Sequence, residues 1–235
     1  MDYRVISIGA MAANDLWNER EPQRTGHATT TLIETTGDDD DGKPLRILVD
    51  PGLPEPAIVA RLRERANLGP ESITHVFLTC FRPDARRGIG AFDRARWLIS
   101  NREREAVGVP LAEGLRRLSE NFEEPDETIE RVLRTDVAIL QRCEPAPDRI
   151  GKGVDLFPLS GVTPGMTGLL VSGAQTTLVC GDAIPTAEHL AKGRAPRNCD
   201  DPDAAIESVR EAVEIADLLV LGRDNVVVNP TKRPF

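Results

Sequence analysis

Short β-branched runs that recur around amphipathic helices are the feature that most constrains this chain. The first half contains strand-like runs at residues 3–9, 28–35, 45–49, 73–79 and 96–100. The second half repeats the pattern at residues 154–159, 168–173, 176–181 and 218–221. Helical periodicity lies between these runs, at residues 55–67, 186–192 and 202–217. Because no Pro/Gly/Ser-rich linker separates the halves, the sequence predicts one α/β domain over residues 1–235, with two packed sheets and helices outside them.

Two polar segments interrupt this pattern. The four aspartates at residues 38–41 lack the alternating oxygen ligands and terminal glutamate of a calcium loop, so they predict a solvated hairpin tip. Residues 111–140 predict two helices interrupted near Pro125. We expect the charged 101–140 segment to cover the mouth of a pocket, or to present a surface that a second subunit covers in a homo-oligomer.

Composition excludes several classes of partner. A net charge of −9 argues against binding to nucleic acid or to anionic membranes, since both require a basic face. No apolar run approaches the roughly 20 residues that span a bilayer, and the N-terminal residues lack the pattern of a signal peptide, so we expect a cytoplasmic protein. The four cysteines stand singly, which is not typical of a zinc ribbon or a disulfide scaffold. Only three histidines are present.

Four polar turns follow one another in a fixed order. They read ILVDPGLP at 47–54, TCFRPDARRG at 79–88, GVTPG at 161–165 with GDA at 181–183, and GRD at 222–224. These turns resemble the metallo-β-lactamase superfamily, whose corresponding segments read D-x-G, T-H-x-H-x-D-H, G-H-T-P-G with G-D-A, and G-H-D. The resemblance covers about residues 24–228. It implies a four-layer αβ/βα sandwich, an α/β (α+β) fold, with an active site at one edge of the sheets and hydrolysis by a hydroxide between two metal ions.

All five histidines that the family places at this site are replaced. Cys80 and Arg82 stand at the first two positions, and Ala85, Val162 and Arg223 stand at the other three. Alanine and valine donate nothing to a metal, and arginine is a permanent cation without a lone pair to offer. Zinc in such sites depends on nitrogen and sulfur donors. The sequence therefore predicts loss of the dinuclear centre and of metal-dependent hydrolysis, and no cofactor.

Two aspartates of the family's site are retained, Asp84 and Asp182, and Asp50 matches a strand-end aspartate that supports the site loops by hydrogen bonds. Carboxylates buried without a partner are costly. We therefore expect Arg82 and Arg223 to pair with Asp84 and Asp182 in the place of the metals. Both arginines could instead be solvated surface residues.

The resemblance leaves the enzymatic status open between three hypotheses. The first is a degenerate, metal-free member that binds a small anionic ligand or a protein partner. In it, Arg82 and Arg223, with Arg86 or Arg87 nearby, supply the positive charge that the metals would have carried. The second is a hydrolase with a single zinc or iron ion, held by Cys80, Asp84 and Asp182, with His189 as a further candidate ligand. The third makes Cys80 a nucleophile, with Arg82 or Arg223 stabilising an oxyanion.

The remaining chemistry-bearing residues favour structural roles. Cys80 and Cys180 at strand ends are typical of small buried hydrophobes. His75 inside a strand is expected to be a core or edge residue, and His27 carries no motif.

Overall fold

The computed structural model describes residues 2–37, 42–120 and 127–232. The aspartate run 38–41 and Pro125 lie outside the described residues. Within the described ranges, the first sheet contains six strands: β1 (Asp2–Ser7), β2 (Thr30–Thr36), β3 (Pro44–Val49), β4 (His75–Leu78), β5 (Arg96–Ile99) and β6 (Cys143–Pro145). They lie in chain order, with antiparallel pairing from β1 to β3 and parallel pairing from β3 to β6.

The second sheet also follows chain order. Its strands in the described part of the chain are β7 (Arg149–Gly151), β8 (Val154–Pro158), β9 (Thr167–Ser172), β10 (Thr176–Gly181), β11 (Leu218–Leu221) and β12 (Val226–Val228). Only β10 and β11 pair in parallel, because the connection between them, residues 182–217, is helical for much of its length; every other pair in this sheet is antiparallel.

Helices join these strands on their outer faces. Their bounds are α1 (Glu55–Ala66), α2 (Pro83–Arg86), α3 (Asn101–Glu120), α4 (Glu127–Arg142), α5 (Ala187–Lys192) and α6 (Pro202–Ile215). The helix α6 begins at Pro202, and the side chain of the preceding N-cap residue Asp201 accepts a hydrogen bond from the N–H of Ala204. No helix among the described residues is both long and apolar enough to cross a lipid bilayer.

Three buried clusters produce the layers. Side chains such as Ile47, Phe77 and Val220 face the other sheet and form the central cluster. Their strand neighbours point outward because side chains alternate along a strand. The outward side chains of the first sheet pack against α1 through Ile58, and those of the second sheet pack against α6 through Val209. Two sheets packed face to face, with helices outside each, confirm the predicted αβ/βα sandwich.

The sequence pattern located the long elements better than the short ones. It missed β6, β7 and β12, which have three residues each and show no measurable alternation. It also began the first charged helix at residue 111, whereas α3 begins at Asn101 and carries Pro110 within it.

Candidate functional site

The polar turns predicted from the sequence lie together at one edge of the two sheets. Asp50 follows β3 and Asp84 follows β4, while Asp182 follows β10 and Arg223 follows β11. β3 and β4 run parallel, as do β10 and β11. The carboxyl ends of each parallel pair therefore meet at the same edge, which brings together side chains far apart in sequence.

Two glycines let the turns after β10 and β11 approach closely. Gly181 has φ +52°, a left-handed conformation that most side chains avoid. A Cβ atom on Gly222 would lie 2.3 Å from the carbonyl oxygen of Gly181. Backbone contact at this point sets the separation between Asp182 and Arg223, the residues that follow these glycines.

Arg223 is the centre of the site. Its Nε and Nη2 each donate a hydrogen bond to one oxygen of Asp182, both at 2.6 Å, and its Nη1 donates to Asp84 Oδ2 at 2.6 Å. Arg223 is 7% exposed and Asp182 is 6% exposed. This two-point geometry is the strong form of an arginine–carboxylate pair, and it places the predicted arginine beside both predicted aspartates.

Arg82 makes weaker contact with the same carboxylate. Its Nη1 lies 3.5 Å from Asp182 Oδ2. Its Nη2 donates instead to backbone carbonyls, at 3.3 Å to Val162 and 2.5 Å to Asn198. Arg82 therefore ties the loop after β4 to two other loops, and its pairing with Asp182 is secondary.

Asp182 and Arg223 each stabilise the charged form of the other. Burial by itself raises the pKa of Asp182, but attraction and hydrogen bonds from Arg223, with a smaller contribution from Arg82, lower that pKa below its ordinary value. Burial alone would lower the pKa of Arg223, yet Asp182 and Asp84 raise it well above the ordinary value. Both groups are therefore charged at neutral pH.

The other replaced histidine positions are filled by buried side chains without charge. Cys80, Ala85 and Val162 are at most 1% exposed and pack in one apolar cluster with α6. Burial, with the nearby carboxylates of Asp182 and Asp50, raises the pKa of the Cys80 thiol well above its ordinary value. A thiol of this kind is neither a ready metal ligand nor a ready nucleophile, since both roles require the thiolate.

These residues do not fit the metal centre that the family resemblance implies. Arg223 donates hydrogen bonds to both oxygens of Asp182 and to one oxygen of Asp84, and these are the oxygens that would ligate a metal. A guanidinium next to those oxygens also repels a cation. Among the described residues, no group of three or more His, Cys, Asp or Glu side chains is arranged to hold a metal ion.

Thiol titration is expected to label one cysteine in the folded protein and four in denaturant. Cys199 is partly exposed, whereas Cys80, Cys143 and Cys180 are buried, with pKa values raised by burial. The measurement is the absorbance change with a disulfide reagent at pH 8, with and without urea. Rapid labelling of Cys80 in the folded state, identified by peptide mass, would contradict this burial and favour a nucleophilic role.

Asp50 supports the site as the resemblance implies. It is 2% exposed, and it accepts hydrogen bonds from the backbone N–H of Thr79 at 2.9 Å and from the Thr79 hydroxyl at 2.7 Å. Burial raises the pKa of Asp50 to about 7, although the two Thr79 hydrogen bonds oppose this rise. Asp50 therefore anchors the strand end that leads into Cys80 and Arg82.

Glu103 is a further buried carboxylate that supports the site, and the sequence analysis did not identify it. Its two oxygens accept hydrogen bonds from Phe81 N at 3.0 Å, Thr163 Oγ1 at 2.7 Å and Gly165 N at 3.1 Å. It thereby joins the loop after β4 to the GVTPG loop. Its position within a charged helical stretch resembled a solvated face, so only the fold reveals its role.

A small cavity opens beside Arg223. Its volume is about 230 Å³, and segments outside the predicted turns supply much of its wall. The lining residues are Met11, Ala12, Ala13, Asp15, Glu19, Arg20, Arg82, Asp84, Asp182, Pro185, Pro196, Arg197, Asn198 and Arg223. The sequence showed no signal for residues 11–20 or 196–198, because irregular loops lack periodicity.

Two expectations about this cavity are wrong. None of the described residues within 101–140 lines it, because α3 and α4 pack against the first sheet instead. Arg86 adds no charge to it: its Nη2 bonds Asp136 of α4 at 2.6 Å, and its guanidinium stacks 4.2 Å from the Phe81 ring centroid. Arg87 is exposed and does not line the cavity.

The histidines lie around this region rather than in it. His189 is buried, with Nδ1 at 2.9 Å from the Thr186 hydroxyl and Nε2 at 3.6 Å from Asp15 Oδ1. Burial lowers the pKa of His189, against the opposing effect of Asp15. His189 contacts neither Asp84 nor Asp182 among the described hydrogen bonds and ion pairs. His75 is half-buried on β4, and His27 contacts the carbonyls of Ile8 and Thr25.

Comparison with known proteins agrees with this architecture. The sequence model of the metallo-β-lactamase superfamily matches residues 25–222. A metallo-β-lactamase-like protein from Thermotoga maritima superposes with a TM-score of 0.65 at 16% identity, covering 97% of this chain and 98% of that chain. No curated protein has a matching sequence.

Two further solved structures share the fold. The dizinc quorum-quenching lactonase AidC has a TM-score of 0.58 at 17% identity, over 80% of this chain and 68% of its own. An AiiA variant from B. thuringiensis, solved with N-decanoyl-L-homoserine at its active site, has a TM-score of 0.57 at 19% identity, over 91% of this chain and 86% of its own. At such identities the similarity concerns the fold alone.

Proposed function

Because the chain belongs to the metallo-β-lactamase superfamily, we propose that it is a member in which an arginine–aspartate network replaces the metal centre, and that the adjoining cavity binds a small anion. The two-point pairing of Arg223 with Asp182 carries this proposal. The same guanidinium reaches Asp84. One side chain therefore satisfies both carboxylates that the family's metal site would use.

The donor chemistry supports a metal-free protein. A metal ion in such a site lowers the pKa of its bound water to about 7 and so supplies hydroxide at neutral pH. Arg223 cannot do this, because a guanidinium has no vacant coordination position for a water molecule and stays protonated at neutral pH. A single zinc or iron ion on Cys80, Asp84 and Asp182 would have to displace Arg223 and also ionise a buried thiol. We therefore propose that metal-dependent hydrolysis has been lost.

The cavity's arginines support binding of an anion. Four line it: Arg20, Arg82, Arg197 and Arg223. Guanidinium groups donate in a planar fork that matches carboxylate and phosphate oxygens. Arg223 uses three of its five N–H groups on the two aspartates. A volume of about 230 Å³ suits a small molecule rather than a peptide.

The metal part of the proposal is tested by equilibrium dialysis against zinc chloride, followed by elemental analysis. We expect no zinc that depends on the site, so wild-type protein and the Asp182→Asn variant retain the same amount. Stoichiometric zinc in the wild type that Asp182→Asn abolishes would contradict the proposal. Using this pair of proteins separates the site from adventitious binding at Cys199 or His27, because Asp182→Asn alters neither of those side chains.

The anion part is tested by thermal unfolding with phosphate, sulfate and small carboxylates, at constant ionic strength made up with chloride. An anion at one hundred times its Kd stabilises the native state by about 2.7 kcal/mol. We expect at least one anion to raise Tm in the wild type, and Arg82→Gln to reduce that rise. If none raises Tm relative to chloride, the anion-binding proposal is wrong.

A further inference from the structure

The rim of the cavity carries two arginines that differ from those on its floor. Arg20 and Arg197 line the cavity and are exposed. Within the described ranges, neither has a salt bridge or a side-chain hydrogen bond. Arg82 and Arg223 are instead committed to Asp182, Asp84 and backbone carbonyls. Among the arginines that line the cavity, the two rim arginines are therefore those whose N–H groups are all free for a ligand.

Some of the charged side chains around the cavity neutralise one another, and the others are left without a partner of opposite charge. On the floor, Arg82 and Arg223 balance Asp84 and Asp182. On the rim, Glu19 is already paired with Arg24, which does not line the cavity.

Three rim charges then remain, and they are Arg20, Arg197 and Asp15. The Asp15 side chain is 33% exposed and lies 3.6 Å from Nε2 of His189, whose pKa burial lowers. The histidine is therefore neutral near pH 7 and does not cancel the Asp15 charge. A complementary ligand has two anionic groups and one hydrogen-bond donor.

Both rim segments are anchored, so their charged side chains start from defined backbone positions. Glu19 accepts a hydrogen bond from Asn14 N at 2.8 Å, and Arg24 donates to the Met11 carbonyl at 3.1 Å. On the other side, the carbonyl of Asn198 accepts from Arg82 at 2.5 Å. The backbone next to Arg20 and Arg197 is thereby tied to the network on the floor.

We propose that the ligand is a small dianion that carries a hydroxyl or ammonium group, with one anionic group bound by Arg20, the other by Arg197, and the donor group bound by Asp15. This inference rests on the proposed anion-binding function and names its ligand class. A four-carbon dicarboxylate with one such substituent is of the right size for a cavity of about 230 Å³. Asp15 repels an unsubstituted dianion and accepts a hydrogen bond from a substituted one.

The test is a calorimetric or NMR titration of wild-type protein with succinate, malate and aspartate, which share a chain length and differ in the donor group. We expect malate or aspartate to bind about tenfold more tightly than succinate, since a hydrogen bond to a charged group has this size. Asp15→Asn is expected to reduce that preference. Equal affinity for all three ligands, unaffected by Asp15→Asn, would overturn the role of Asp15.

The rim arginines are tested with Arg20→Gln and Arg197→Gln. Each is expected to weaken binding by about tenfold, because it removes one charge-assisted contact. Arg194→Gln is the matched control, an exposed arginine of the same segment that does not line the cavity, and it should bind as the wild type does. Unchanged affinity in both rim variants would overturn the inference.

The two levels of proposal fail differently. If the wild type binds phosphate or another small anion but the rim variants do so equally well, anion binding stands and the rim assignment is wrong. If the wild type binds no small anion of any kind, the proposed function itself fails.

Discussion

Replacing Arg223 with methionine is expected to lower the free energy of unfolding by about 3–5 kcal/mol, because a buried charge loses its partner. Asp182 is 6% exposed and receives two hydrogen bonds of 2.6 Å from this guanidinium. Asp84 loses a contact as well, but its side chain is 33% exposed, so water can replace the lost hydrogen bond. Most of the cost therefore arises at Asp182. Urea unfolding followed by circular dichroism measures it.

Two further variants identify the cause. Arg82→Met removes a cation that lies 3.5 Å from the same carboxylate together with two hydrogen bonds to backbone carbonyls, and we expect a smaller loss of about 1–2 kcal/mol. Adding Asp182→Leu to Arg223→Met should recover most of the stability, since an apolar pair of similar volume is often as stable as a buried ion pair. A loss of under about 1 kcal/mol in Arg223→Met would instead mean that Asp182 is solvated.

The second large effect is a fall in stability between about pH 4 and pH 7 that depends on Asp50. Burial raises its pKa from 3.8 to about 7 in the native state, so the native state binds this proton more tightly than the unfolded state does. The stabilisation is fully present below pH 3.8 and is lost as the pH rises through about 7. A shift of this size corresponds to about 4 kcal/mol.

The measurement compares the free energy of unfolding of wild type and Asp50→Asn at pH 5 and pH 8. Asparagine keeps an oxygen to accept from Thr79 N but has no proton to lose, so its stability should fall less over this range. Asp148→Asn, which changes an exposed carboxylate, should follow the wild type. Parallel pH curves for wild type and Asp50→Asn would show that Asp50 is ionised in the native state at pH 5.

Asp182 does not contribute to the stability change between pH 5 and pH 8, because its pKa is shifted in the opposite direction. Its pairing with Arg223 lowers the pKa below 3.8, so its contribution is present above pH 3.8 and is lost only as the pH falls further. The two aspartates therefore act in separate pH ranges.

Much of the fold was predictable because its signals are local. Runs such as residues 45–49 and 176–181 alternate side chains across a sheet, and their hydrophobic residues do line the outer and central clusters. Strands of three residues, such as β12, were not predictable, since they depend on a neighbouring strand rather than on their own pattern. The same limit applied to Glu103, whose three partners lie in other loops.

The sequence by itself determined that no imidazole stands at any of the five family positions and that Asp84 and Asp182 remain. It could not determine which arginine meets which aspartate. Arg223 is 41 residues from Asp182 and 139 from Asp84, and only the meeting of the strand ends at one edge brings them together. The tertiary structure likewise brings Arg86 into an ion pair with Asp136 and places Arg20 and Arg197 in the cavity wall. Ion pairing depends on distance and burial in space, and neither quantity is encoded in the spacing of residues along a chain.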